Sequence, residues 1–180
     1  MYANLFGDFV KGTNYGHYPR TIQNGIKLHR KIDDYIDKHP EVINLRRKLY
    51  SSLPKISGIA IDLYFDHILA ANWDKFHEQQ LDSFLDNFHN SEFRKEHYDI
   101  PTFLFLIDKM KEGKWLYNYK TKIGLIHACR GLSQRISFSN TLHTAPDFFT
   151  KFESEIDFAF YSFMHDAVPF FEDYHKKISE

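Results

Sequence analysis

The chain has 180 residues with a formal net charge of −1, and 43% of its residues are hydrophobic. This composition excludes a disordered chain, and the near-neutral charge excludes a global field that attracts nucleic acid or a membrane surface. The single cysteine, Cys129, excludes an intrachain disulfide and a cysteine-based zinc site, and no apolar run reaches the roughly 18 residues of a membrane span. Because no signal-peptide pattern is present either, we expect a cytoplasmic protein that forms one domain over residues 1–180.

Apolar residues recur with helical spacing through most of the chain, and no segment shows the alternation typical of strands. Pro19 suits a first helical turn, Gly113 suits a helix C-terminal cap, and residues 137–144 are predicted as a loop. The predicted helices span residues 18–37, 40–52, 54 to about 73, 81 to about 93, 101–112, 115–134, and from Pro146 onward. The pattern predicts an all-α, single-domain helical bundle.

The segment 56–71 contains no Lys or Arg, and its only strongly polar members are Ser57, Asp62, Asp66 and His67. A helix that is apolar nearly all round is typically buried, and burying an ionised carboxylate without a partner costs several kcal/mol. Asp62 and Asp66 are four residues apart, so they share one face of this helix. Their charges can be neutralised by a divalent cation, by an Arg or Lys from another helix, or by a shared proton.

The preceding part of the chain offers a second pair with the same spacing. His29 and Asp33 share one face of the first long predicted helix, and an imidazole with a carboxylate suits a hard or borderline metal ion. Asp8 adds a further acid among apolar neighbours. The alternative is a buried salt-bridge network in which the two acids of segment 56–71 pair with Arg30 and His29.

Charge is unevenly distributed along the sequence. From Arg20 to Lys55 there are nine Lys or Arg against four Asp or Glu, whereas from Asp62 to Asp99 there are nine Asp or Glu against three Lys or Arg. These segments form either two solvated helix faces of opposite sign or, in the first segment, a basic docking face for an acidic partner.

Three motifs in order carry a family resemblance. Residues 5–12 (LFGDFVKG), 25–33 (GIKLHRKID) and 62–67 (DLYFDH) resemble the acyl carrier protein phosphodiesterases, also called holo-acyl-carrier-protein hydrolases. Trp115 and Leu116, residues 131–135 and the C-terminal aromatic helix resemble the same family. That family is similar to the His-Asp (HD) domain phosphohydrolases, so the resemblance implies an all-helical fold and a divalent metal ion.

The resemblance implies hydrolysis of the phosphodiester that links 4′-phosphopantetheine to a serine of holo-acyl carrier protein, with Mn²⁺ or Mg²⁺ as cofactor. We expect the metal ligands to be Asp8, His29, Asp33, Asp62 and Asp66. Arg30 would stabilise charge on the phosphate oxygens because its planar fork matches phosphate, and Asp62 would also be catalytic. His67 would protonate the leaving alkoxide or orient a metal ligand.

The implied partner is an acidic carrier protein, which suits the basic segment from Arg20 to Lys55. We expect Lys27, Lys31 and Arg135 to contact this substrate.

Two features depart from the family pattern. Family members begin with a further helix carrying an Asn-Phe-Leu-Ala-His-like motif, so we expect either that this helix belongs before Met1 or that the chain is short at this end. The doublet Asp66-His67 also reverses the His-Asp order of the superfamily. Alternatives to the expected function are an HD-like phosphohydrolase acting on a nucleotide or another phosphoester, and a non-catalytic helical module that binds an acidic partner.

Overall fold

The computed structural model describes residues 1–91 and 95–179, and within these ranges it consists of α-helices and short 3-10 helices joined by turns, without a β-strand. The all-α prediction is therefore confirmed. No helix in these ranges combines the length and apolar character that a membrane crossing requires. The helices are α1 (Tyr2–Phe6), α2 (Arg20–Lys38), α3 (Pro40–Tyr50), α4 (Ser57–Ala71), α5 (Leu81–Asn90), α6 (Pro101–Gly113), α7 (Trp115–Asn118), α8 (Lys122–Arg135), α9 (Ala145–Lys151) and α10 (Glu153–Ser179).

One predicted helix start and one predicted helix cap are wrong, and each has a local cause. Helix α4 begins at Ser57 and not at Pro54, because Lys55 adopts a left-handed conformation (φ 66°) that a right-handed helix cannot contain. At the end of α6, Lys114 (φ 48°), and not Gly113, takes the left-handed position. Gly113 is instead required by packing, since a Cβ there would lie 2.1 Å from Nε1 of Trp115.

Two helices predicted to be continuous are interrupted, and a third ends early. The predicted helix 115–134 breaks after α7, and the Thr121 side chain caps α8 by accepting a hydrogen bond from the Gly124 backbone N–H (3.0 Å). The predicted C-terminal helix is divided at Phe152 into α9 and α10. The helix predicted to about residue 93 ends at Asn90; Phe93 lies outside the described residues.

Helix α4 lies at the centre of the fold, in contact with α3, α8 and α10. Tyr64 is fully buried, and its hydroxyl donates a hydrogen bond to the Ala145 carbonyl (2.6 Å). Its large apolar neighbours Ile61, Leu63 and Phe65 are also buried, and each such side chain contributes about 1.5–3 kcal/mol to stability. The prediction of a buried helix over this segment is confirmed.

Two hydrophobic clusters make up the core. The larger cluster joins residues of α3, α4, α8, α9 and α10, including Leu49 and Phe160. The smaller cluster joins α1, α2 and α6, including Phe6, Ile26 and Phe103. Helix α2 contributes residues to both clusters, so it connects one cluster to the other.

Glycines allow α1 and α2 to pack closely. A Cβ on Gly25 of α2 would lie 2.4 Å from the Ala3 Cβ, and a Cβ on Gly7 would lie 2.5 Å from the His29 Cβ. Both distances are shorter than real contacts, so any larger residue forces the two helices apart. This contact fixes the N-terminal segment, and with it Asp8, beside the middle of α2.

Candidate active site

A cleft of about 460 Å³ opens between α2, α4 and α10. Four carboxylates line this cleft, which we call the acid cleft: Asp33 and Asp37 from α2, and Asp62 and Asp66 from α4. The other residues that line the cleft are apolar: Ile32, Ile36, Phe65, Leu69, Phe160, Phe163 and Met164. Asp62 and Asp66 are the main polar positions of α4, and the helical spacing turns both of them toward this cleft.

The two acids of α4 have unusual proton affinity. Both are exposed to water that enters the cleft, yet protein surrounds them closely enough to disfavour their charged forms. Desolvation, and then the charge of Asp62, raise the pKa of Asp66 to about 7. Desolvation and the charges of Asp37 and Asp33 raise the pKa of Asp62 to about 6, although Arg46 opposes this rise. Each carboxyl can therefore exchange a proton near neutral pH.

Arg46 of α3 is the cation next to these acids. Its Nη2 donates to Oδ1 of Asp37, which lines the acid cleft. The predicted salt-bridge alternative, with Arg30 and His29 pairing Asp62 and Asp66, does not occur in the described part of the chain. Asp37 and Arg46 were both missed from the sequence, although Asp37 continues the spacing of four from His29 and Asp33.

Asp33 links the acid cleft to the N-terminal segment. Nε2 of His29 lies 3.3 Å from Oδ2 of Asp33. Desolvation raises the pKa of Asp33, His29 lowers it, and the charges of Asp8 and Asp37 raise it again. Asp8 is thus close enough to Asp33 to act on its charge, because the glycine contact between Gly7 and His29 brings it there.

The structure brings together part of the predicted metal-ligand set. Asp33, Asp62 and Asp66 line the acid cleft, His29 contacts Asp33, and Asp8 lies nearby. Among the described residues, however, no group of three His, Cys, Asp or Glu side chains is arranged to hold a metal ion. Proteins commonly bind Mg²⁺ through only one or two carboxylates, with water molecules as the other ligands.

Arg30 and His67, predicted to be catalytic, do not line the cleft. Arg30 donates to the carbonyls of Val10 (2.9 Å) and Gly12 (2.6 Å), so it anchors the segment that follows α1. The His67 side chain is buried, with Nδ1 at 2.7 Å from the Tyr119 carbonyl. Both residues hold the fold around the site in this arrangement.

The predicted substrate-contact residues also lie outside the cleft wall. Lys31 forms an ion pair with Asp34 (3.6 Å), and Lys27 is exposed on the same helix. The guanidinium of Arg135 lies over the Trp115 ring at 5.2 Å. Their predicted contacts with substrate stay predictions.

Comparison with known proteins identifies the family. A family model described as acyl carrier protein phosphodiesterase matches residues 1–167. A protein named acyl carrier protein phosphodiesterase from Photorhabdus laumondii is 29% identical over 136 residues, covering 75% of this chain and 69% of that protein. Proteins of the same name from Salmonella agona and Salmonella newport are each 29% identical over 134 residues, covering 74% of this chain and 69% of theirs. No solved structure matches the chain. With nearly its whole length matched by the family model, the chain belongs to the acyl carrier protein phosphodiesterase family.

Proposed function

We propose that this protein hydrolyses the phosphodiester between 4′-phosphopantetheine and a serine of holo-acyl carrier protein. Water adds to phosphorus, the bond from phosphorus to the serine oxygen breaks, and the serine oxygen takes a proton. The products are apo-acyl carrier protein and phosphopantetheine. Family membership supports the substrate, and the acid cleft is the observation that supports the chemistry.

The carboxyls of α4 are suited to move the protons of this reaction. A general base works best when its pKa lies near the working pH, and the pKa values of Asp62 and Asp66 are raised to about 6 and about 7. We propose that one of these two carboxylates accepts the proton of the attacking water while the other holds the cation proposed below, because a bound cation lowers the pKa of the carboxylate that holds it.

The charge of the cleft supports a metal requirement. A phosphodiester is an anion, and four carboxylates lining one cleft repel it unless a cation intervenes. We propose that Mn²⁺ or Mg²⁺ would supply this positive charge, and that one of the two carboxylates of α4, Asp62 or Asp66, would hold it, with Asp33 and His29 as a neighbouring pair. Asp8 would act through its charge on Asp33.

A mass measurement on the carrier protein tests the activity. Holo-acyl carrier protein is incubated with the protein and Mn²⁺, and we expect the mass of the phosphopantetheine group to be lost. Asp62→Asn should abolish most of this loss, whereas Asp74→Asn, an exposed acid beyond the end of α4, should not. If the wild type binds the carrier protein but leaves its mass unchanged, beside a working positive control, the chain is a binding module and the proposal is wrong.

Metal binding is tested without turnover. Mn²⁺ titration followed by electron paramagnetic resonance should show binding that weakens as pH falls below about 6, because protonated carboxyls do not bind metal. Of the Asp62→Asn and Asp66→Asn variants, the one that loses the metal ligand should bind Mn²⁺ at least tenfold more weakly than the wild type. Binding that is unchanged in both variants would exclude these two carboxylates as ligands.

A further inference from the structure

Arg46 has a special place among the basic side chains. Within residues 1–91 and 95–179, it is the only Lys or Arg in ion-pair contact with a carboxylate that lines the acid cleft. Neighbouring basic residues are engaged elsewhere: Lys38 pairs with Asp34, and Lys48 pairs with Glu155. Arg46 is not itself a lining residue, but its bond to Asp37 places its guanidinium beside one of the acids that line the cleft.

The guanidinium of Arg46 is only partly used. Its Nη2 donates to Asp37, but its Nε is buried and has no hydrogen-bond acceptor among the described residues. A buried donor without an acceptor costs about 1–3 kcal/mol, so native structures rarely keep one without a reason. Two adjacent N–H groups of arginine match two oxygens of one phosphate, whereas Asp37 accepts from just one of them here.

The first turn of α4 holds this guanidinium beside the acids. A Cβ at Gly58 would lie 3.5, 3.6 and 3.7 Å from Nη2, Nε and Cζ of Arg46, so the planar group faces Gly58 at nearly even distance. Gly58 and Asp62 are four residues apart and share a helix face, which separates them by about 6 Å along the axis. The guanidinium thus lies about one helical turn from Asp62.

We propose that Arg46 binds the phosphate group of the substrate, exchanging its bond to Asp37 for bonds from Nε and Nη2 to two phosphate oxygens. The exchange satisfies the donor that lacks an acceptor, and it frees the Asp37 carboxylate within the acid cleft. The identity of the substrate rests on the proposed function, whereas the binding of a phosphate group by Arg46 does not. This residue takes the phosphate-binding role that the sequence had suggested for Arg30.

Titration calorimetry with inorganic phosphate tests the assignment directly. We expect Arg46→Gln to weaken phosphate binding about tenfold or more, because charge-assisted hydrogen bonds to an anion are lost. The matched control is Arg47→Gln, which removes the same charge from the next, exposed position of α3 and should change binding less than twofold. Thermal unfolding of both variants shows that each is folded. Equal weakening by both variants, or no phosphate binding by the wild type, overturns the proposal.

A second pair of variants tests the exchange. Asp37→Asn replaces the charged acceptor by a neutral, weaker one. It should strengthen phosphate binding more than Asp33→Asn, which removes one charge from the same cleft but does not contact Arg46. When Arg46 is already replaced by Gln, Asp37→Asn and Asp33→Asn should change the affinity for phosphate by the same amount. If the two acid variants have the same effect in both backgrounds, Asp37 does not compete for Arg46.

Kinetics on holo-acyl carrier protein separate this proposal from the proposed function. Arg46→Lys keeps the charge but loses the fork, so we expect a raised KM and a lowered kcat that Arg47→Lys does not show. If Arg46→Gln weakens phosphate binding but the wild type leaves the carrier protein intact, the proposed function is refuted and the phosphate-binding role of Arg46 is not. If the variants with Arg46 or Arg47 replaced hydrolyse the carrier protein equally well, the role of Arg46 is refuted and the proposed function is not.

Discussion

Asp66→Asn should stabilise the metal-free protein at alkaline pH. The substitution keeps the shape of the side chain but removes the charge that the cleft disfavours. The pKa of Asp66 is raised by desolvation and by Asp62 from 3.8 to about 7. At about 1.36 kcal/mol per unit, this rise corresponds to about 4 kcal/mol for a fully enclosed group. The side chain is more than a third exposed, so solvent screening reduces the effect, and we expect about 1–2 kcal/mol.

The sign follows from which state binds the proton more tightly. Well below pH 3.8, Asp66 is protonated in both the folded and the unfolded chain, so its charge has no effect on stability. As pH rises toward about 7, the unfolded chain releases this proton first, and the folded wild type loses stability relative to Asp66→Asn. The gain of the variant should therefore be absent at acidic pH and complete above the folded-state pKa.

Urea unfolding in a chelating buffer at acidic and alkaline pH measures this difference. Asp74→Asn is the control, since this exposed acid lies outside the cleft and should show no such pH-dependent gain. Added Mn²⁺ should then stabilise the wild type more than Asp66→Asn, because a ligand that binds only the folded state shifts the equilibrium toward it. If Asp66→Asn gains nothing at alkaline pH, a compensating contact already neutralises Asp66 and our account of the cleft is wrong.

Two further substitutions test the packing around the site. Gly25→Ala would place its Cβ 2.4 Å from the Ala3 Cβ, so we expect urea unfolding to show a free energy of unfolding lowered by about 1–3 kcal/mol. Gly131→Ala in α8 would have no atom within 4 Å of its Cβ and should raise the free energy of unfolding by about 0.5–1 kcal/mol. Similar effects at both glycines would contradict the close contact of α1 with α2. His67→Ala removes a buried ring and its contact with the Tyr119 carbonyl, so we expect a loss of about 2–3 kcal/mol with kcat per folded molecule within about tenfold of wild type. A far larger fall in kcat at unchanged stability would support the proton-donor role that the sequence suggested.

The helix that carries the acids was predictable because its composition is extreme. A segment without Lys or Arg and with two acids at a spacing of four has few physical solutions, and the structure places Asp62 and Asp66 on one cleft wall. The start of that helix was not predictable, because the left-handed Lys55 depends on how the turn packs and not on its residue type. Helix content followed from local pattern, whereas helix ends depended on tertiary contacts.

The cations of the site could not be assigned from the sequence. Arg30 lies within the best-matching motif, yet its guanidinium bonds to backbone carbonyls near the N-terminus. Arg46 lies in a run of three basic residues that suggests a solvated surface, and nothing in that run distinguishes it from Arg47. The one signal was its spacing of four from the buried Val42, which places it on the inner side of α3. Pairing between helices is a property of the fold and cannot be obtained from one helix alone.

The position of α2 across both hydrophobic clusters has a consequence for the motions of the site. Its residues His29, Asp33 and Asp37 belong to one helix, so their spacing of about 6 Å for each step of four residues is fixed by backbone hydrogen bonds. Local opening of either cluster, for example by transient separation of α1 or of the C-terminal end of α10, leaves that spacing intact. Such fluctuations would instead change the distance between these three side chains and the residues that they face on α1 and α4. Local opening of the core would therefore leave these three side chains in register along α2.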